Sequence, residues 1–170
     1  MKGAYDNKAF AAERKKRAPA EKQRSVQATM NESLSEFKSV CREAFHFLIV
    51  NYGFQEFHEL HPKHTNKYQI RFGNGEIEIL ILGEGYGTIA NIEYVTSDGV
   101  EVATQILEPN WEPFKKQKKF KKTMPSQRDQ IFMIADKIRE RDKDILLGDL
   151  KRLNKAAERW QAIKTKMGWK

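Results

Sequence analysis

The chain has 170 residues, 39% hydrophobic and 32% charged, enough for one modest core with solvated extensions and too little for a second large one. A single cysteine, Cys41, excludes an intrachain disulfide and a cysteine-rich zinc framework. The net charge of +8 is uneven: residues 1–28 carry eight Lys/Arg and three Asp/Glu, 29–107 five and eleven, 108–125 six and two, and 126–170 twelve and seven.

An acidic middle between basic flanks points to different partners for different parts, since a basic segment attracts polyanions and an acidic face attracts basic proteins. The N-terminus lacks the apolar stretch of a secretory leader, and no run approaches the ~20 apolar residues of a membrane span. The expectation is a cytoplasmic protein without stable membrane insertion.

Residues 1–28, centred on "ERKKRAPAEKQRS", read as a basic flexible tail in which Arg14, Lys15, Lys16 and Arg17 form a short polyanion-binding run. Residues 29–107 read as a helix followed by an antiparallel sheet. Leu34, Phe37, Cys41, Phe45, Leu48 and Tyr52 repeat at three and four, predicting a helix from about Asn31 to Tyr52 that Gly53 ends. Cys41 lies on its apolar stripe, the place of a packed thiol more than of a nucleophile.

"FHELHPKHTNKY" follows, with His58, His61 and His64 at intervals of three. A helical turn would gather the imidazoles, but Pro62 disfavours helix, so the expected setting is an exposed polar loop or strand end. HELH is one residue short of the HExxH metalloprotease pattern, and no metal or cofactor is assigned. His46, off the helical stripe, reads as a structural or surface histidine.

Three hairpins come next. The turn Asn74-Gly75 predicts pairs Phe72–Ile77, Ile70–Ile79 and Tyr68–Ile81. A four-residue loop Gly83–Tyr86 predicts Ile81–Thr88, Ile79–Ala90 and Ile77–Ile92. A three-residue loop Ser97–Gly99 predicts Tyr94–Val102, Ile92–Thr104 and Ala90–Ile106. All three registers put the apolar residues on one face. "GEGYG" between strand-like runs is therefore read as a turn, because a phosphate-binding loop leads from a strand into a helix N-terminus.

Residues 108–125 form a long basic connection in which Trp111, Phe114 and Phe120 stand among Lys115, Lys116, Lys118, Lys119, Lys121 and Lys122. Lysines for phosphates beside aromatics for bases suit DNA or RNA, an anionic membrane surface shares the chemistry, and a plain linker needs no partner. Residues 126–170 complete the same domain as helices. Ser126 is the expected N-cap of a stripe of Ile131, Ile134, Ile138 and Ile145. Gly148 stops it, and Asp149 caps a further helix bearing Leu150, Leu153, Ala157 and Trp160; the alternative is one long helix kinked at Gly148.

"FKSVCREAFHFLIVNYGF", the strands "YQIRFGNGEIEILI" and "GYGTIANIEYV", and "IADKIRERDKDILLGDLKRL" together resemble a loose group of small bacterial α+β proteins, some of which look like immunity proteins of contact-dependent or polymorphic toxin systems. The resemblance spans about Ser33 to Leu153 and rests on structural motifs, so it implies a binding role and transfers no catalytic residue. The basic tail and the lysine-rich connection depart from that pattern.

The expected fold is α+β: an antiparallel four- to five-stranded meander with an N-terminal helix and C-terminal helices on one face. Glu76, Glu78, Glu93 and Glu101 project from the opposite face with Leu80, Ile89 and Val95. That face is either solvated or a docking surface for a basic protein, possible toxins included. The expected function is non-enzymatic occlusion of such a partner. The alternative is nucleic-acid binding through the basic tail and the lysine-rich connection.

Overall fold

The computed structural model describes residues 33–85, 89–108 and 125–169. The basic tail (1–28) and nearly all of the lysine-rich connection lie outside them, and with them every residue expected to meet nucleic acid. Helix α1 covers residues 33–52. Strands β1 (Gln55–Phe57), β2 (Gln69–Gly73), β3 (Ile77–Glu84), β4 (Ile89–Thr96) and β5 (Glu101–Ala103) follow, then a 3₁₀ turn, Thr104–Leu107. Helices α2 (Gln127–Arg141), α3 (Lys143–Leu146) and α4 (Lys151–Met167) close the described chain. The five strands form one antiparallel sheet in the order β1-β2-β3-β4-β5, the meander that consecutive hairpins produce.

The period-two pattern places Tyr68, Ile70, Phe72, Ile77, Ile79, Ile81, Ile92, Tyr94 and Val102 in one core with α1, α2 and α4. Phe72 stacks on Phe45 of α1, and Tyr68 meets Phe37 edge-on. Exposed pairs fasten the helices: Arg42 to Glu56 of β1, and Arg128 of α2 to Glu43 of α1.

The registers differ from expectation by even numbers, so every side chain keeps its face. Ile70 pairs with Ile81 and Phe72 with Ile79. The Asn74 side chain accepts from the backbone N–H groups of Glu76 and Ile77, which makes the turn longer than two residues. Strand β3 runs on to Glu84, so Ile81 faces Ile92 and Ile79 faces Tyr94. The extension is held from β2's side, where Gly83 donates its N–H to the Tyr68 carbonyl and Asn66 donates to the Gly83 carbonyl. The chain returns as a strand at Ile89, so the glycine stretch joins two strands and offers no helix N-terminus to a phosphate. In the third hairpin Tyr94 pairs with Val102 as expected, but Ile92–Thr104 and Ala90–Ile106 do not form because the 3₁₀ turn starts at Thr104.

Ser126 caps α2 by accepting from the Asp129 N–H. The helix breaks at Asp142 and resumes as α3, which ends just before Gly148 (φ 91°), the expected stop; Leu150 immediately precedes α4, while the Asp149 side chain accepts from the Lys151 N–H at 3.3 Å, as its expected capping role requires. Asp142 is buried because its carboxylate is fully engaged. It accepts from Arg141 (2.7 and 2.8 Å), from Arg152 of α4 (2.9 Å) and from the Tyr94 hydroxyl of β4 (2.9 Å). Burial first, then the neighbouring Asp142 carboxylate, holds the Tyr94 phenol well above its usual range, so it remains a donor.

Asp142→Ala should lower the unfolding free energy by about 2–4 kcal/mol, since it strands the buried Tyr94 hydroxyl and removes the link from sheet to α4. Urea denaturation should show a lower midpoint with an unchanged slope; an unshifted midpoint would refute the role. Gly99 has φ 77°, and an added Cβ would meet only the flexible Lys63 Nζ at 4.0 Å, so Gly99→Val should cost on the order of 1–3 kcal/mol chiefly through backbone strain. Gly99→Asn, which tolerates that conformation, should cost less in the same measurement.

Candidate functional site

The sheet's outer face carries its own small apolar cluster, Leu80, Leu82 and Val95, and the segment between β1 and β2 runs across that face. The segment is the expected loop and most of it is exposed; the departures are His61, which is buried, and His64, which is half-buried. Gln69 explains why the segment lies down. Its buried amide accepts from the His61 N–H (2.8 Å) and donates to the carbonyls of His64 (3.1 Å) and Asn66 (2.6 Å). Arg71 donates to the Glu59 carbonyl, and Lys63 to the Gly99 carbonyl at 2.7 Å, so the segment reaches across from β2 towards β5.

Within the segment, His61-Pro62-Lys63-His64 is a β-turn closed by the His64 N–H on the His61 carbonyl at 3.0 Å. Proline at its second position favours such a turn. The turn brings the first and fourth side chains together, with ring centroids 5.3 Å apart. Both meet Glu101 of β5: one of its carboxylate oxygens lies 3.7 Å from His61 Nδ1 and 3.6 Å from His64 Nε2. One ligand atom from each of the three residues fits within a mutual 4.8 Å.

These distances are too long for hydrogen bonds. His61 Nδ1, His64 Nε2, Glu101 Oε1 and Glu93 Oε2 are all buried without a hydrogen-bond partner. Leaving one such group unsatisfied costs about 1–3 kcal/mol, so four in one place are unusual. Desolvation lowers the His61 pKa against the pull of Glu101, leaving the ring neutral more readily than a free imidazole. Burial, and then Glu101, raise that of Glu93.

The four carboxylates expected on an acidic face are thus in different settings. Glu78 is paired with Arg71 at 2.7 Å, whereas Glu93 and Glu101 lie partly buried with the histidines. Glu76 is exposed and belongs to the turn before β3, not to the strand. Glu76 and Glu78 line a shallow cleft of about 350 Å³, together with Phe57, Pro62, Ile77 and Val95. His58 is exposed and outside the imidazole cluster, and His46 is exposed on α1. The spacing of His61 and His64 was visible in the sequence; Glu101, 37 residues beyond His64, becomes a neighbour only through the sheet.

No family model, curated protein or solved structure matches the chain. Among the described residues, no helix is long and apolar enough to cross a membrane.

Cys41 is fully buried in α1, and burial pushes its thiol up to about 12, which leaves almost no thiolate at neutral pH. Its reaction with an aromatic disulfide reagent at pH 8 should be slower than in the denatured chain by on the order of 10³-fold or more, since it must await opening of the core. Rapid labelling of the native protein would contradict this packing.

Proposed function

We propose that the chain is a non-enzymatic binding protein of the immunity type, which occludes a basic segment of a protein partner. The observation that carries this reading is the cleft in which Glu76 and Glu78 stand beside Phe57, Pro62, Ile77 and Val95. A lysine or arginine suits this mixture, its stem lying on apolar surface while its cation meets carboxylate. Arg71 also lines the cleft and pairs with Glu78 at 2.7 Å, so those two charges offset each other and Glu76 is the carboxylate left to meet the partner's cation. The excess of six acidic charges over residues 29–107 would steer a basic partner to this side.

A second reading, nucleic-acid binding, draws on the six lysines and three aromatics between Trp111 and Lys122 and on the Arg14–Arg17 run. The two readings place the contact in different parts of the chain. Basic proteins captured on the intact chain at low salt should remain bound when residues 1–28 are deleted. Affinity should fall at least about tenfold with Glu76→Lys plus Glu78→Gln, with thermal melting confirming that the variant is folded. If the deletion destroys binding and the double variant retains it, occlusion at the cleft is wrong. A steep fall of oligonucleotide affinity with salt, flattened by replacing Lys115, Lys116, Lys118, Lys119, Lys121 and Lys122 with serine, would then favour the second reading.

A further inference from the structure

We infer that His61, His64 and Glu101 form a binding site for one divalent transition-metal ion of the zinc class, with Glu93 as the adjacent carboxylate. The site goes beyond the binding role proposed above and uses different carboxylates, with His61 bordering both. Zinc bound to nitrogen and oxygen at about 2.0–2.2 Å in tetrahedral geometry places its ligand atoms about 3.3–3.6 Å apart. Glu101 already stands at 3.6 and 3.7 Å from the two imidazole nitrogens, and all three ligand atoms lie within 4.8 Å of one another. A shift of about an ångström in one ring completes the triangle around an ion and leaves a fourth position for water or Glu93.

Three features point to a cation in preference to a coincidence of polar side chains. The three ligand atoms and Glu93 Oε2 all lack a hydrogen-bond partner while shielded from solvent. His61 is only 7% exposed, and its backbone is held by Gln69, so its ring is directed inward by a bond independent of any ligand. Two carboxylates, Glu93 and Glu101, share this buried space with imidazoles, and the cation that the structure sets against Glu101 there is Lys63, 3.6 Å away and itself mostly solvent-facing. A divalent ion would satisfy the imidazole lone pairs and offset both carboxylates. Two imidazoles with a carboxylate select zinc and its transition-metal neighbours over magnesium or calcium, which favour all-oxygen sites.

Zinc titrated into the tag-free full-length chain, previously stripped with EDTA, should bind at one ion per chain. The melting temperature should rise by about 5 °C or more at roughly 100-fold excess over Kd. Cobalt in place of zinc should give visible absorption bands of a four- or five-coordinate nitrogen–oxygen site. His64→Ala and Glu101→Gln should each weaken zinc binding at least about tenfold, while His58→Ala, outside the cluster, should leave it unchanged. The inference is overturned if the folded wild-type chain takes up no zinc. It is equally overturned if uptake survives both ligand substitutions or is lost with His58→Ala. The cobalt spectrum is read on the wild-type chain, so the test stands even if a variant fails to fold.

Discussion

Gln69 sits near the start of β2 with its amide sealed from solvent, and that amide can be satisfied only by the backbone of the segment above it. Three hydrogen bonds to His61, His64 and Asn66 tie a surface loop down along the outer face of the sheet and turn His61 and His64 inward. Leu80, Leu82 and Val95 form their small buried cluster on that same face. The histidine turn, its meeting with Glu101, and the Pro62 wall of the cleft follow from the same placement. A short polar side chain at position 69 would leave the three backbone groups unpaired.

Asp142 holds the opposite side together in a different way. A carboxylate removed from water survives only with several donors, and here the donors come from three places: Arg141 beside it, Arg152 in α4 and Tyr94 in the sheet. Arg152 also donates to Asp144, whose carboxyl it holds below the usual range, so one guanidinium ties the α2–α3 break to α4. Apolar packing alone would let the helices slide on the sheet; these directional bonds select one arrangement.

Much of this was legible in local periodicity. The apolar stripe of α1, the even parity of the strands, Ser126 as a cap and Gly99 in its turn all depend on neighbours within a few residues. The register of the first two hairpins was not, because it turned on the Asn74 side chain, on the Asn66 amide donating to the Gly83 carbonyl and on the Gly83 N–H donating to the Tyr68 carbonyl, which propensity does not encode. The break at Asp142 escaped for the same reason: its partners lie 10 and 48 residues away. Gln69 was equally opaque, since a glutamine at an outward strand position reads as solvent-facing. Of the histidine cluster, the H-P-K-H turn carried a local signal in its proline, whereas Glu101 is recruited only by the folding of β4 and β5.

The segment between β1 and β2 belongs to both candidate sites, since His61 reaches the cluster with His64 and Glu101 while His61 and Pro62 also line the cleft with Glu76 and Glu78. The turn is already held by Gln69 and by its own His64–His61 bond, so a cation on the two imidazoles would add little ordering for a partner in the cleft, and coupling between the two sites would be mainly electrostatic. That coupling would be unfavourable, because a divalent ion beside Glu93 and Glu101 would reduce the negative potential that attracts a basic partner. Screening would confine the opposition to about 8 Å, the Debye length at physiological salt, and weaken it further as salt rises. Were both sites occupied, each would therefore weaken the other at low salt and leave it nearly unaffected at high salt.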